Sequence, residues 1–255
     1  VNPALAELAA DPQRAAILLD FDGTLAPIVS HPQDAGPTPG AREVLEALVR
    51  RYRLVAIISG RPVADLERFI GVDGVRYEGL YGLPATAPTA QPVRHHVDEA
   101  AGAVPGAWVE PKGLTVAVHY RGSEDPARAR EVLAEQLGAL AGRHRYDLLE
   151  GKMVFELAPA GESRKGGAVE RLIAETGATA ALYAGDDLPD LEAFAALDKL
   201  EESGLHTVKI AVGGPETPES LRADADLVAS DPTELVDILG SLLSRSSEGR
   251  GKNAP

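Results

Sequence analysis

Three short apolar runs in this chain each stop abruptly on a polar tip. Ala15-Ala16-Ile17-Leu18-Leu19 ends at Asp20, Tyr52 to Ile58 (YRLVAII) ends at Ser59-Gly60, and Ala180 to Ala184 ends at Gly185-Asp186-Asp187. None of them alternates apolar with polar residues along its length. Such runs fit strands buried on both faces, the kind from which parallel sheets are built. Helical stretches follow at 40–50, 62–70 and 188–202. This rhythm of strand, polar tip and helix is the signature of βαβ units with right-handed crossovers. The expected fold is α/β, with a Rossmann-like three-layer core around a mostly parallel sheet. Strands at 208–212 and 227–228, and helices at 3–10, 165–176 and 232–243, extend the same pattern.

Between Gly79 and Pro92 the rhythm breaks into a stretch rich in Pro, Ala and Thr, which reads as a linker. Beyond it the pattern predicts a helix at 93–101, strands at 107–110 and 114–120, and a helix at 126–141. A hairpin follows, 146–149 with 153–157, across Glu150-Gly151-Lys152. In the second strand Val116, Val118 and Tyr120 share one face, while Thr115, Ala117 and His119 share the other. Ala129, Leu133, Leu137 and Leu140 form the apolar stripe of the longer helix. This αββαββ order predicts a smaller α+β domain at 87–159, inserted into a core made of 1–86 and 160–243. Hinges are expected at 84–92 and 159–161. The tail 244–255 has almost nothing to bury and is expected to be disordered.

Composition removes several function classes. The chain carries 25 Lys plus Arg against 39 Asp plus Glu, a formal net charge of −14, which is the wrong sign for a nucleic-acid partner. With no cysteine it has no thiol nucleophile, thiolate metal site or disulfide. No stretch reaches the ~18–20 apolar residues needed to span a bilayer, and Val1–Gln13 lacks a basic-then-apolar signal pattern. The expectation is a cytoplasmic protein without a membrane partner, and a monomer is compatible with it. His95 and His96 are adjacent on a helix and point apart, while His31 and His144 read as surface residues. Trp108, the sole tryptophan, reads as part of the core of the inserted domain.

The polar tips carry the chemistry. Asp20 and Asp22 leave one strand end, and Gly23 lets the chain turn tightly there. Asp186 and Asp187 leave another, with Asp190 one helical turn later. Open α/β sheets bind ligands at these strand ends. Carboxylates gathered there repel one another unless a cation compensates, and a hard, oxygen-seeking ion such as Mg²⁺ suits them. Asp20 and Asp186 are the expected direct ligands, with Asp187 or Asp190 supporting them. Ser59 and Gly60 offer a hydroxyl and backbone amides suited to a phosphoryl oxygen. Lys165 opens a helix, against the helix dipole, and so asks for an anion nearby. Together these parts compose a phosphoryl-transfer site. Asp20 would be the nucleophile, Asp22 the general acid and base, and Lys165 with Ser59 would neutralise the transferring group.

The ordered set D20-F-D22-G-T24, Ser59, Lys165 and G185-D186-D187-L-P-D190 resembles the haloacid dehalogenase superfamily of phosphohydrolases. That resemblance implies a position-setting role for Thr24. It also implies that the backbone carbonyl of Asp22 completes the magnesium shell, and that the insertion is an α/β cap. Within the superfamily the chain is similar to the trehalose-6-phosphate phosphatases, through LDFDGTLAPI, IISGRP, KGLTVAVHYR, GKMVFELAP and YAGDDLPDLEAF. This implies hydrolysis of trehalose 6-phosphate through an aspartyl phosphate, with Lys152 and Glu156 of the cap on the distal sugar. Lys112, His119 and Arg121 mark the corresponding cap strands, and Arg61 is grouped with them as a substrate residue. The family usually carries a Gly-Ser-His-Gly-like turn where this chain reads Glu78-Gly79-Leu80-Tyr81-Gly82, so Tyr81 would offer a hydroxyl in place of the histidine. Lys152, Val154 and Glu156 also fall on one strand face, as a polar lid requires. Two alternatives stay open: a phosphatase for another sugar or glycosyl phosphate, and a catalytically silent sugar-binding regulatory protein.

Overall fold

The computed structural model describes residues 2–83, 89–160, 164–213 and 217–243. The expected tail 244–255, most of the first hinge, Gly161 of the second hinge and Gly214 lie outside the described residues. In chain order the first segment forms α1 (Ala6–Ala10), β1 (Ala15–Leu19), α2 (Ala41–Val49), β2 (Leu54–Ile58), α3 (Val63–Ile70) and β3 (Arg76–Glu78). The inserted segment forms α4 (Arg94–Gly102), β4 (Trp108–Pro111), β5 (Val116–His119), α5 (Pro126–His144), β6 (Tyr146–Gly151) and β7 (Val154–Pro159). The chain then returns through α6 (Lys165–Thr176), β8 (Ala180–Gly185), α7 (Asp190–Glu202) and β9 (His206–Val212). It closes with α8 (Glu219–Asp224), β10 (Leu227–Ala229) and α9 (Pro232–Ser241).

The core sheet has 6 strands in the order β10-β9-β8-β1-β2-β3, every neighbouring pair parallel. Both faces are covered, which is why the runs showed no polar alternation. Ile17, Leu19, Val55, Ile57 and Leu182 pack on one side against Leu45, Leu48, Leu66, Ile70, Leu235 and Leu239. Ala16, Leu18, Ala56, Ile58 and Tyr183 pack on the other against Val169, Leu172, Ile173, Phe194 and Leu197. The three-layer α/β expectation therefore holds. Short helix α8 went unread in the sequence; its six residues bury only Leu221, too weak a period to see.

The second sheet has 4 antiparallel strands, ordered β4-β5-β7-β6. Its outer face carries Val116, Val118, Tyr120, Phe155 and Leu157 onto α4 and the α5 stripe of Ala129, Leu133, Leu137 and Leu140. The hairpin is longer than the sequence suggested: Gly151 pairs with Val154, so the turn is Lys152-Met153, with Met153 left-handed at φ 62. The other face of this sheet looks onto the carboxyl ends of the core strands, and a cavity lies between the two there. Among the described residues, no helix is long and apolar enough to cross a membrane.

Leu18 is fully buried in a central strand, so Leu18→Ala is expected to cost about 2–5 kcal/mol through lost packing and a residual cavity. Val228→Ala, on an exposed position of edge strand β10, is expected to change stability by less than about 0.5 kcal/mol. Urea unfolding of the two variants beside the parent protein checks both.

Candidate active site

Strand β1 is followed by β2 on one side of the sheet, while its neighbour β8 leads to β9 on the other. Ligands of open parallel sheets bind in the crevice that opens where the strand order reverses in this way. Asp20 continues β1, its amide donating to the Ala184 carbonyl at 2.9 Å, and Asp186 continues β8. The topology thereby brings together carboxylates that are 166 positions apart in the sequence. Asp20, Asp186 and Asp190 are all buried, and an oxygen of each lies within 4.8 Å of the others.

Lys165 answers that concentration of negative charge. From the first turn of α6 its Nζ reaches Asp20 at 2.8 Å and Asp190 at 2.5 Å. Burial alone would lower the lysine's affinity for its proton, but Asp190 and Asp20 more than reverse this and hold it charged. Burial pushes the Asp20 carboxyl well above the ordinary range; Lys165 opposes that shift, while Asp190 and Asp186 reinforce it. Asp186 is pushed up to about 6, again chiefly by burial, against the pull of Lys152. A divalent cation between these groups would relieve the penalty.

Asp190 is already occupied. Its Oδ1 accepts from Lys165 and from the Tyr183 hydroxyl at 2.7 Å, and its Oδ2 accepts from the amides of Asp186 and Asp187, both at 3.0 Å. With four donors on two oxygens it shapes the 185–187 loop and aims Lys165, and it has little left for an ion. Asp20 and Asp186 have the hard oxygen donors a magnesium ion prefers, so the residues present fit that ion. Gly23 adopts φ 80 beside them, and a Cβ there would overlap the Asp186 carboxylate. Thr24 follows, its Oγ1 donating to Asp186 Oδ1 at 3.1 Å.

Asp22 points toward the cavity and is gripped by Arg61, whose Nε and Nη2 donate to its two oxygens at 2.6 and 2.7 Å. Arg61 also donates to the Pro32 carbonyl at 2.8 Å and lies 5.5 and 5.0 Å from the Phe21 and Phe69 ring centres. The guanidinium expected among the substrate residues therefore lines the cavity while it fixes the Asp22 carboxylate. Ser59 is buried at the end of β2, its Oγ accepting the Arg61 amide at 3.2 Å. Gly60 lies under the Tyr81 ring, too close for any Cβ.

The inserted sheet faces this cluster with a polar surface. Glu110, Ala117, Glu156 and Leu149 form one row across its four strands. The small Ala117 leaves space between two glutamates, and Lys112 enters it, with Nζ 3.1 Å from Glu156 and 3.9 Å from Glu110. Burial would weaken the lysine's charge, but Glu156 and Glu110 outweigh it. Glu156 also accepts from Thr115 and, at 2.8 Å, from Tyr81 of the core. His119 meets Glu110 at 2.8 Å, and Arg121 donates to the Lys152 carbonyl at 3.1 Å. Lys152 reaches across to Asp186, and all of these residues except Thr115 and Ala117 line the cavity with Asp187.

Sequence reading passed over Glu110, Thr115 and Tyr183. Glu110 lies in a four-residue strand of exposed and half-buried residues, so its only signal is the cross-strand row, which requires the register. Trp108 corrects an expectation: it is 38% exposed and stacks on His119 with ring centres 4.0 Å apart, because its register opposite His119 on an edge strand puts it on the face turned away from the apolar core of the inserted domain.

A model of the trehalose-phosphatase family matches residues 18–227, from the Asp20 strand to the last core strand. The chain belongs to the trehalose-phosphatase family. The trehalose-phosphate phosphatases of Mycolicibacterium paratuberculosis and Mycobacterium marinum are each 34% identical to it, over 262 and 259 residues. These alignments cover 92% of this chain but 64% and 63% of the relatives, so the chain spans just under two thirds of their length. Among solved structures, the C-terminal domain of the C. albicans trehalose-6-phosphate phosphatase superposes with a TM-score of 0.83 at 25% identity. That match covers 95% of this chain and 97% of the other.

Lys165→Met would leave Asp20 and Asp190 buried without their shared ammonium. It is expected to destabilise the metal-free protein by about 3–5 kcal/mol, the range for breaking one side of a buried ion pair. Chemical denaturation in the presence of a chelator measures it.

Proposed function

We propose that this chain is a magnesium-dependent phosphomonoesterase that converts trehalose 6-phosphate to trehalose and phosphate in the cytoplasm. The observation that carries the reading is the buried Asp20, paired with Lys165 at a parallel-sheet edge and roofed by a polar cap surface. Family membership and the similarly named relatives support the substrate. Residues 1–86 and 160–243 act as the phosphatase core and 87–159 as the cap.

In the first step an Asp20 oxygen bonds to phosphorus while the bond to the sugar oxygen breaks. Asp22 gives its proton to that departing oxygen. In the second, Asp22 takes a proton from water, the water oxygen bonds to phosphorus, and the bond to Asp20 breaks to release phosphate. Arg61 aims Asp22 at the cavity while it is a carboxylate, between the two steps, and releases one of its oxygens when Asp22 carries the proton. Lys165, the Ser59 hydroxyl and the Gly60 amide hold the phosphoryl oxygens, and Thr24 keeps Asp186 in place. Asp20, Asp186 and the Asp22 carbonyl would hold Mg²⁺, which when bound supplies positive charge opposite the phosphoryl group.

Glu110, Lys112, His119, Arg121, Lys152 and Glu156 present alternating charge to the sugar hydroxyls, with the Tyr81 hydroxyl facing them from the core. Burial and the adjacent Glu156 push the Tyr81 phenol well above its ordinary value, so it stays a donor. The cavity holds about 180 Å³, below the roughly 300–1,000 Å³ typical of ligand pockets. The cap therefore has to open to admit a disaccharide phosphate, and its closure excludes water from the intermediate.

Phosphate release from a panel of sugar phosphates tests the substrate. Trehalose 6-phosphate is expected to be turned over faster than glucose 6-phosphate; equal or slower turnover would favour a phosphatase for another sugar phosphate. Asp20→Asn is expected to abolish turnover, and persistence of magnesium-dependent hydrolysis in that variant would sink the mechanism. Tyr81→Phe is expected to lower kcat/KM for the disaccharide phosphate about tenfold, the scale of one lost hydrogen bond to a charged group. Hydrolysis of a small aryl phosphate by that variant should change far less.

A further inference from the structure

The cap reaches into the carboxylate cluster at one point. Lys152 sits in the two-residue turn between β6 and β7, and its Nζ pairs with Asp186 Oδ2. The other oxygen of Asp186 is taken by Thr24. Asp186 is buried, and the Lys152 side chain is only 14% exposed, so this is an interior contact between lobes. The turn is anchored from behind. Arg121 donates to the Lys152 carbonyl, and the Tyr120 amide donates to the Met153 carbonyl at 3.0 Å. The ammonium thus occupies an oxygen that the core would otherwise offer to a divalent ion. An ammonium and a divalent cation cannot both be seated on one buried carboxylate oxygen without strong repulsion.

We propose that Lys152 is a stand-in cation: a divalent ion at Asp20 and Asp186 displaces its ammonium, which turns to the sugar side of the cavity beside Val154 and Glu156. The inference rests on the reading of Asp20 and Asp186 as ion ligands, and it adds an order of events. The ion arms the sugar subsite, because Lys152 becomes available to a hydroxyl only once it has left Asp186. The coupling is reciprocal, so a ligand that draws Lys152 away tightens ion binding by the same factor. Before the ion arrives, the same contact ties the hairpin tip to the core and holds the cap shut over an incomplete site.

The test uses the whole chain, stripped of metal and without substrate. Mn²⁺ binding is followed by the electron paramagnetic resonance signal of the free ion, for the parent protein, Lys152→Met, Lys152→Arg and Asp186→Asn. Amine labelling read by mass spectrometry follows Lys152 in the parent protein, with exposed Lys199 as a reference. Lys152→Met is expected to bind Mn²⁺ about tenfold more tightly, within the usual range of coupling between sites, and Lys152→Arg to stay within about twofold of the parent. Saturating Mn²⁺ is expected to raise labelling of Lys152 several-fold while Lys199 is unchanged.

Two results overturn the proposal while leaving the ion site intact. One is an unchanged affinity in Lys152→Met. The other is a tighter affinity with no change in Lys152 labelling, which would mark a distant charge effect. If Asp186→Asn binds Mn²⁺ as well as the parent does, the ion-ligand reading fails, and this inference falls with it. Labelling of the parent protein decides the matter even if a variant does not fold.

Discussion

Crowding like charges into a site shielded from water is the constraint around which this molecule is organised. Three buried carboxylates share one sheet edge, where burial and mutual repulsion make negative charge costly. The chain answers with positive groups brought from separate places. Lys165 comes from the helix that follows the cap, Lys152 from the cap itself, and two backbone amides come from the loop at 185–187. Tyr183 completes the set from inside β8. Lys165 joins α6 to the end of β1 and to α7, Lys152 joins the cap to the end of β8, and Tyr183 joins β8 to α7, so the electrostatics of the site also hold these elements together. An interior built this way is stable only when every charge has its partner, which makes the site one of the most tightly specified parts of the fold.

A similar logic governs the cap. Its sheet buries an apolar outer face on two helices and turns a charged inner face toward the core. Glu110, Lys112, Glu156 and His119 satisfy one another there without any sugar present. Such a surface does not collapse onto the core as an apolar one would, and it can exchange its internal hydrogen bonds for those of hydroxyl groups at small net cost. The cavity is small because the Lys152–Asp186 and Tyr81–Glu156 contacts draw the two lobes together. Opening the cap therefore breaks few strong contacts apart from those of Lys152, Tyr81 and the Arg164–Asp147 pair near the return to the core.

The sheet and the ends of its strands were legible because burial on both faces leaves an unmistakable run of apolar residues, and polar residues at its end stand out. Asp20, Ser59 and Asp186 could be placed from that alone, and Lys165 from its conflict with the helix dipole. The inner face of Val116 to His119 was legible too, through simple alternation. What stayed hidden depends on contacts that have no local trace. Glu110 needs the strand register, Tyr183 is one apolar letter in a buried run, and Trp108 was assigned to the core although its register opposite His119 puts it on the other face. Arg61 was grouped with the substrate residues; only the fold shows that it also grips Asp22. The partner of Lys152 lies 34 positions away in another lobe, and a face assignment on the hairpin cannot supply it.

The turn after β3 shows how substrate choice can be written into the core as well as the cap. Leu80 and Tyr81 are consecutive left-handed residues, at φ 51 and 61, and bulky side chains in that region cost about 1–3 kcal/mol each. Glycine would remove the strain, yet the chain keeps a phenol there. Three backbone hydrogen bonds hold the shape: Leu80 to the Arg61 carbonyl, Tyr81 to the Ser59 carbonyl, and Gly82 to the Gly79 carbonyl. The bare Gly60 beneath leaves room for the ring over the loop after β2. The hydroxyl then lands on Glu156, across the lobe boundary. A strained, rigid turn delivers its side chain with less freedom than a relaxed loop, so Tyr81 gives Glu156 a fixed partner across the lobe boundary. A substrate hydroxyl that replaces this contact must arrive where the phenol stood, and that requirement belongs to the core strand order rather than to the cap.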